Sequence, residues 1–305
     1  MLYNLSMKKR LLKLRDGKQV RTYVWDNVDQ PKGMVQLIHG SLEHCKRYDE
    51  LAKVFNKAGY IVVADDHRGH GETDSDMLGH VGVNITAQDV VNDLKEINDF
   101  YYKKYRLPVV VYGHSWGSYL ARALISQKGV KVEKAIISGT GWESQFATSF
   151  GLGFLKFLRL FKKDHQKSKM VFDITFKKFN KGFEKNSDTG MEWLSNDKKE
   201  NDKFFNDELR GDQFAISGYR ALIGAAKLAC NKHTLEETPN IDMLVVSGAD
   251  DPVGKKSKGV IKFSNKLKKY TDVNLTLKLY EGQRHEIHND TEKKVLFKDI
   301  QEFLK

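Results

Sequence analysis

Val109-Val110-Val111-Tyr112-Gly113-His114-Ser115-Trp116-Gly117-Ser118-Tyr119-Leu120-Ala121-Arg122-Ala123-Leu124 decides the fold. A β-branched apolar run stops at Gly113, and a run of good helix formers begins after Ser115, so the serine sits on a strand-to-helix turn. Glycines two residues either side of it have a steric reason, because so sharp a turn presses the strand end against the first helical turn. The spacing predicts a positive φ at Ser115, a strain of about 1–3 kcal/mol that surrounding packing must impose. The serine hydroxyl then projects from the turn. The Trp116 amide, a free donor at a helix N-terminus, points where negative charge would develop on an attacked carbonyl.

Outward from this turn the chain alternates. Residues 8–25 read as a hairpin around Asp16-Gly17, and Met34 to Ile38 as a buried strand ending in His39-Gly40-Ser41-Leu42-Glu43-His44. Helical spacing follows from Tyr48 to Ala58, a strand from Tyr60 to Ala64, and a long amphipathic helix from about Thr86 to Lys104. After the turn come a helix to about Gln127 and the strand Lys134 to Ser138. This order predicts an α/β protein with a mostly parallel, doubly wound sheet and its site at the carboxyl ends of the strands. The alternation lapses from Gly139 to about Pro239 and resumes with a strand at 242–247, a helix at about 258–269, a strand at 273–280 and a last helix at about 291–304. We expect a core of 1–139 and 240–305 with a helical cap inserted at 140–239.

A serine hydroxyl needs a base within hydrogen-bond reach and an acid behind the base. The loop after strand 242–247 offers Asp250 and Asp251, and the loop after strand 273–280 offers His285 with His288 further on. Asp251 is preferred because Pro252 restrains it to an extended backbone, and His285 because His288 lies nearer the last helix. The resulting order is Ser, Asp, His. Gly40 lets the backbone after Ile38 approach closely, so the Ser41 amide pairs with that of Trp116 as the second donor to an oxyanion. His39 reads as a turn-stabilising residue. His39, Glu43 and His44 lack the HExxH spacing of a zinc helix, so neither a metal nor another cofactor is expected.

The chain has 305 residues, 40% of them apolar and 11% aromatic, which suits a folded globular protein. Cys45 and Cys230 stand far apart, as free thiols would. No apolar stretch approaches the roughly 20 residues that span a bilayer, and the first ten residues lack a signal-peptide core, so a cytoplasmic location is expected. The net charge of +11 is spread along the chain without a nucleic-acid-binding module, and no nucleic-acid partner is expected. Between 151 and 185, however, ten Lys/Arg face three Asp/Glu.

His39 to His44 with Arg47-Tyr48, Asp66-His-Arg-Gly-His-Gly71, Gly113 to Gly117, Gly248-Ala-Asp-Asp-Pro-Val-Gly254 and Arg284-His-Glu286 resemble the α/β-hydrolases of the lysophospholipase and monoacylglycerol lipase group, sometimes filed with serine aminopeptidases. Glu192-Trp193-Leu194-Ser195 and Gly211-Asp212-Gln213-Phe214 resemble the cap of bacterial members. The resemblance implies Ser115 as nucleophile, Asp251 as acid, His285 as base, and Ser41 and Trp116 as oxyanion amides. Leu42 and Trp116 stand where many members carry a small residue and methionine, which suggests a bulkier wall beside the nucleophile. Leu42, Tyr48, Trp142 and Phe146 are the candidate pocket residues.

The expected chemistry is hydrolysis of single-chain lipid esters, lysophospholipid or monoacylglycerol, through an acyl-enzyme. A short-chain carboxylesterase, a serine aminopeptidase and a non-catalytic receptor on the same fold are the alternatives. An aminopeptidase would need carboxylates for the substrate amine, for which Glu192, Glu208 and Asp212 are candidates. Gly151 to Lys163, apolar over most of its circumference with Lys156, Arg159 and Lys163 along one side, is suited either to an acyl tunnel or to an anionic membrane surface.

Overall fold

The computed structural model describes residues 7–183 and 189–305. Glu184 and Lys185, counted above in the basic stretch, lie outside the described residues. Eight strands, β1 (Lys8–Lys13), β2 (Gln19–Trp25), β3 (Gly33–Ile38), β4 (Tyr60–Asp65), β5 (Val109–His114), β6 (Lys134–Ser138), β7 (Asp242–Gly248) and β8 (Asn274–Tyr280), form one sheet in the order β1-β2-β4-β3-β5-β6-β7-β8. β2 pairs antiparallel with both β1 and β4 at one edge, and the other pairings are parallel. This is the α/β-hydrolase fold.

Among the described residues ten helices accompany the sheet: α1 (Asp49–Lys57), α2 (Ala87–Tyr105), α3 (Trp116–Ile125), α4 (Gln145–Leu158), α5 (Lys169–Thr175), α6 (Lys198–Phe205), α7 (Ile216–Ala229), α8 (Lys232–Glu236), α9 (Lys258–Tyr270) and α10 (Lys293–Phe303). Strands β3 to β7 are apolar almost throughout because helices cover both faces. Leu51 and Phe55 of α1 and Leu296 and Ile300 of α10 bury one face. Leu94 and Ile97 of α2, Leu120 and Leu124 of α3 and Phe263 of α9 bury the other. Thr86 starts α2 with a capping box, its side chain accepting the Asp89 amide while Asp89 accepts the Thr86 amide.

Between β6 and β7 the chain forms α4 to α8. Ala221, Ala225 and Ala229 give α7 a flat face that packs against α2 and α3, and they belong to the main core. Leu155 of α4, Val171 of α5, Phe214, Ile216 and Tyr219 make a separate cluster over the carboxyl edge of the sheet, which Leu42 joins from below. Among the described residues no helix is long and apolar enough to cross a membrane.

Candidate active site

The chain winds from β3 to β4 on one side and to β5 on the other, so the carboxyl ends of β3 and β5 flank the point where strand order reverses. Ile38 pairs with Gly113 there. Ser115 follows β5 with φ +54°, in the left-handed region that disfavours a side chain, and its amide donates to the Ser138 carbonyl at 3.0 Å. Both flanking glycines are sterically required. A Cβ on Gly113 would overlap the Gly117 carbonyl oxygen, and one on Gly117 would overlap the carbonyl oxygens of Ile38 and His39.

The loops after β7 and β8 are stitched together. The Ala249 amide donates to the Tyr280 carbonyl at 2.8 Å and the Asp250 amide to that of Gln283 at 3.0 Å. Gly248 permits this crossing, since a Cβ there would strike the carbonyl oxygens of Gln283 and Arg284. The crossing brings His285 between two partners. The Ser115 hydroxyl lies 2.7 Å from His285 Nε2, and His285 Nδ1 lies 2.9 Å from Asp251 Oδ2. A carboxylate only accepts, so Nδ1 carries the proton and Nε2 is left to accept from the serine. Asp251 is fully buried, its Oδ1 receiving the Val253 amide at 2.8 Å and its Oδ2 the Ser247 hydroxyl at 3.3 Å. Burial pulls the His285 pKa down, but the charge and hydrogen bond of Asp251 outweigh it and leave the ring more basic than ordinary histidine. Asp250 is not part of this chain of contacts. His288 is buried behind it, its ring stacked on Tyr48.

Ser41 borders the same cavity as Ser115. Gly40 packs so tightly that a Cβ on it would sit 3.1 Å from the serine Cβ. The Glu43 carboxylate accepts the Gly40 amide at 2.6 Å and the Tyr48 hydroxyl at 2.6 Å, which fixes the turn carrying the Ser41 amide. Among the described residues no hydrogen bond occupies the Ser41 or Trp116 amide. His39 is a turn residue: its Nδ1 donates to the Gly40 carbonyl at 2.7 Å and its Nε2 accepts the His67 amide at 3.0 Å. His39, Cys45 and Asp66 lie close enough together to suggest a metal centre, but their donor atoms are engaged. Cys45 Sγ donates to the Asp65 carbonyl, and Asp66 accepts the Tyr23 hydroxyl and the Cys45 and Glu72 amides. Glu43 and His44 are likewise engaged, with Arg47 and Asp207.

A cavity of about 410 Å³ opens on Ser115 and His285. Leu42 lines it and packs on Gly211. Tyr48, Trp142 and Phe146 do not, and those three expectations are corrected. Tyr48 lies beneath the site, bonded to Glu43. Trp142 is packed in the core beside Arg122. Phe146 points outward from α4 and is 82% exposed. Nor is the Trp116 indole among the cavity walls: it stacks on His70 and meets Phe214 edge-on, so of the two bulky departures Leu42 alone narrows the cavity. The apolar wall is instead Phe172 and Phe176 of α5 and its end, Met191, Trp193, Leu194 and Phe204. Helical periodicity carries no signal for these residues, because which face of a short helix between β6 and β7 looks down depends on where that whole stretch lies. Trp193 and Leu194 were marked only by resemblance.

Trp193 also reaches the base itself. Its ring lies 5.0 Å from that of His285, and its carbonyl oxygen receives the His285 amide at 3.4 Å. Leu194 accepts the Glu286 amide at 2.7 Å, and Arg284 donates to the carbonyls of Glu192 and Ser195. The segment 192–195 is therefore fastened to the histidine loop.

Known proteins resemble this chain. The chain is 24% identical to a monoglyceride lipase homolog of Monkeypox virus over 95% of each chain. It is 30% identical to the monoglyceride lipase of Rattus norvegicus, but over only 33% of each chain. A thermostable carboxyl esterase from Bacillus coagulans, solved in complex with glycerol, superposes with a TM-score of 0.90 at 26% identity, covering 99% of this chain and 98% of that one. The family model described as Serine aminopeptidase, S33 matches residues 29–292, from just before β3 to the residue that precedes α10, and the chain belongs to that family of hydrolases.

Proposed function

We propose that this serine ester hydrolase acts on single-chain lipid esters, lysophospholipid or monoacylglycerol, through an acyl-enzyme. The observation that carries the reading is the apolar cavity that opens on the Ser115–His285–Asp251 chain of hydrogen bonds. Ser115 attacks the ester carbonyl while His285 Nε2 takes its proton. Asp251 holds the imidazolium that results, and the oxyanion rests on the Ser41 and Trp116 amides. The protonated His285 gives its proton to the departing alcohol, and then activates a water that releases the fatty acid. We place the cap at 140–239, with the part before α7 covering the substrate and α7 anchoring it to the core.

An aminopeptidase would need an uncommitted carboxylate at the cavity for the substrate amine. Asp212 is paired with Lys167, Glu192 accepts from Asn180 and Thr189, and Glu208 does not line the cavity, which speaks against that alternative. The test is hydrolysis of p-nitrophenyl esters from acetate to palmitate, with Ser115→Ala as control. A rate that peaks at medium or long chains and vanishes in the variant is expected. A rate that peaks at acetate would favour a short-chain esterase, and rates equal to the variant's at every length would move ligand binding to the front.

A second reading concerns location. Phe146, Phe150 and Phe157 share one exposed face of α4, continued by exposed Leu160 and Phe161 and flanked by Lys156, Lys162 and Lys163. We propose that this stripe meets the surface of an anionic membrane, apolar rings in the interface and lysines on the headgroups. Vesicle co-sedimentation with no preference for anionic over neutral lipid would remove this proposal.

A further inference from the structure

Among the described residues the cavity wall carries two cations that no carboxylate engages. Among the described residues four carboxylates line it, and each has a cationic partner: Glu43 and Glu286 share Arg47, Asp173 meets Lys169 at 2.7 Å, and Asp212 meets Lys167. Of the cations that line it, Lys169 is thereby used, while Lys177 and Arg210 form no ion pair among the described residues. Arg210 is half-buried. Its Nε donates to the Phe205 carbonyl at 3.2 Å, and its guanidinium carbon lies 5.3 Å and 5.4 Å from the Phe204 and Phe205 ring centroids. Asp207 and Asp212 act on it through space, but each is bonded elsewhere, to His44 and Lys167. Burial strips water from this guanidinium, and its own chain returns one carbonyl and two aromatic faces, leaving both Nη groups as an unused fork.

We infer that Arg210 selects, among the esters presented to Ser115, those whose leaving alcohol carries a phosphate: acyl glycerophosphates over uncharged acylglycerols, with Lys177 as a second cation in the same wall. This rests on the reading of Ser115 as the nucleophile. A planar fork with two free donors matches phosphate oxygens pairwise, and a partly dehydrated setting strengthens the bond. The reaction remains carboxylic ester hydrolysis. The acyl C–O bond breaks, water supplies hydroxyl to the acyl carbon and a proton to the glycerophosphate oxygen, and the phosphate ester bond is untouched.

The test compares 1-octanoylglycerol with 1-octanoylglycerol 3-phosphate, which share acyl chain and scissile bond. The ratio of their kcat/KM values should favour the phosphate in the native chain. It should fall about tenfold in Arg210→Gln, as loss of one charge-assisted bond implies, and recover in part in Arg210→Lys. An unchanged ratio, or an equal fall for both substrates, overturns the inference, the second outcome marking Arg210 as wall material only. Octanoate inhibition that weakens in Arg210→Gln while the substrate ratio holds would assign Arg210 to the product acid instead, and also overturns it. Calorimetric binding of the phosphate ester to Ser115→Ala separates this inference from the reaction. If neither ester is turned over yet binding falls tenfold with Arg210→Gln added, the ester reading fails and the anion site stands. Binding that is absent, or indifferent to Arg210, overturns the site as well.

Discussion

Arg47 and Glu286 form a buried two-pronged ion pair, with Nη1 2.8 Å from Oε1 and Nη2 2.6 Å from Oε2. Arg47 Nη1 also meets Glu43, whose other oxygen holds the Gly40 amide, so one guanidinium joins the turn that carries Ser41 to the loop that carries His285. Burial pushes both carboxyl groups up; Arg47 overrides it at Glu286, held at about 2, while Glu43 stays raised beside a second carboxylate. Arg47→Met leaves two buried carboxylates without a cation and should cost about 3–5 kcal/mol in urea unfolding. In the native chain the depressed Glu286 contributes stability that is present above its unfolded value of 4.5 and is lost as pH falls toward 2. Without Arg47 the burial that raises both carboxyl groups is unopposed, so in Arg47→Met they take up protons above their unfolded value of 4.5, and the deficit should shrink as pH falls from about 7 to about 4.5 and further as the native Glu286 contribution is lost below it. A deficit independent of pH would mean that packing, not charge, is what Arg47 supplies.

Two glycine substitutions of opposite sign test the turn. Gly117→Ala drives a methyl into the carbonyl oxygens of Ile38 and His39, both on the backbone that must also present Ser41. Destabilisation of about 3 kcal/mol or more is expected, together with loss of activity in whatever remains folded. Gly153 sits inside α4 with nothing within 4 Å of an added Cβ. Gly153→Ala should stabilise by up to about 1 kcal/mol, because alanine gives up less backbone freedom on entering a helix. Thermal melts of the two variants settle both signs.

The elbow, the strand order on either side of it and the three residues that meet there were legible because each depends on local pattern. Val109 to His114 can only be a covered strand, Gly113 and Gly117 have no other use at that spacing, and Asp251 and His285 each follow a strand that ends at the same sheet edge. The choice of Asp251 over Asp250 rested on Pro252, whereas in the structure the separation comes from burial and from the Asp250 amide, which ties its backbone to Gln283. The cavity walls were not legible. Trp142 and Phe146 are aromatic and lie at the start of the insertion, but one turns into the core and the other into solvent, a difference fixed by how α4 rests on α7. Arg210 has no local signature, since its nearby carboxylates, Asp207 and Asp212, are taken up by His44 and Lys167, which are distant in sequence.

By the proposed mechanism the acid limb of kcat/KM reports the protonation of His285, which must be neutral to accept from Ser115. Asp251 holds that ring above the ordinary value of 6.5 against the opposing effect of burial. Asp251→Asn removes the largest raising influences, leaving the weaker ones of Glu286 and Glu43 against the burial, so the residual activity should show its acid limb at lower pH than in the native chain. The rate at neutral pH should drop about 10³- to 10⁴-fold, since the ring also loses the partner that fixes its tautomer. A limb that stays in place would mean that Asp251 does not set the basicity of His285.

Trp193 predicts the opposite displacement. Its ring covers one face of His285 at 5.0 Å and contributes to the burial that pulls the imidazole down. Trp193→Ala admits water to that face, so the pKa should rise further and the acid limb move to higher pH, opposite in sign to Asp251→Asn. The fastening of 192–195 to the histidine loop runs through main-chain carbonyls, which the substitution leaves in place. We therefore expect an intact fold, a fall of about tenfold in kcat/KM for an octanoyl ester as the wall recedes, and retention of the native limb in Trp193→Phe, whose ring still excludes water. Measured pH profiles for the three proteins decide the matter. A downward shift in Trp193→Ala would mean that the indole raises rather than lowers the basicity of His285, and the account of the site's electrostatics given above would be wrong.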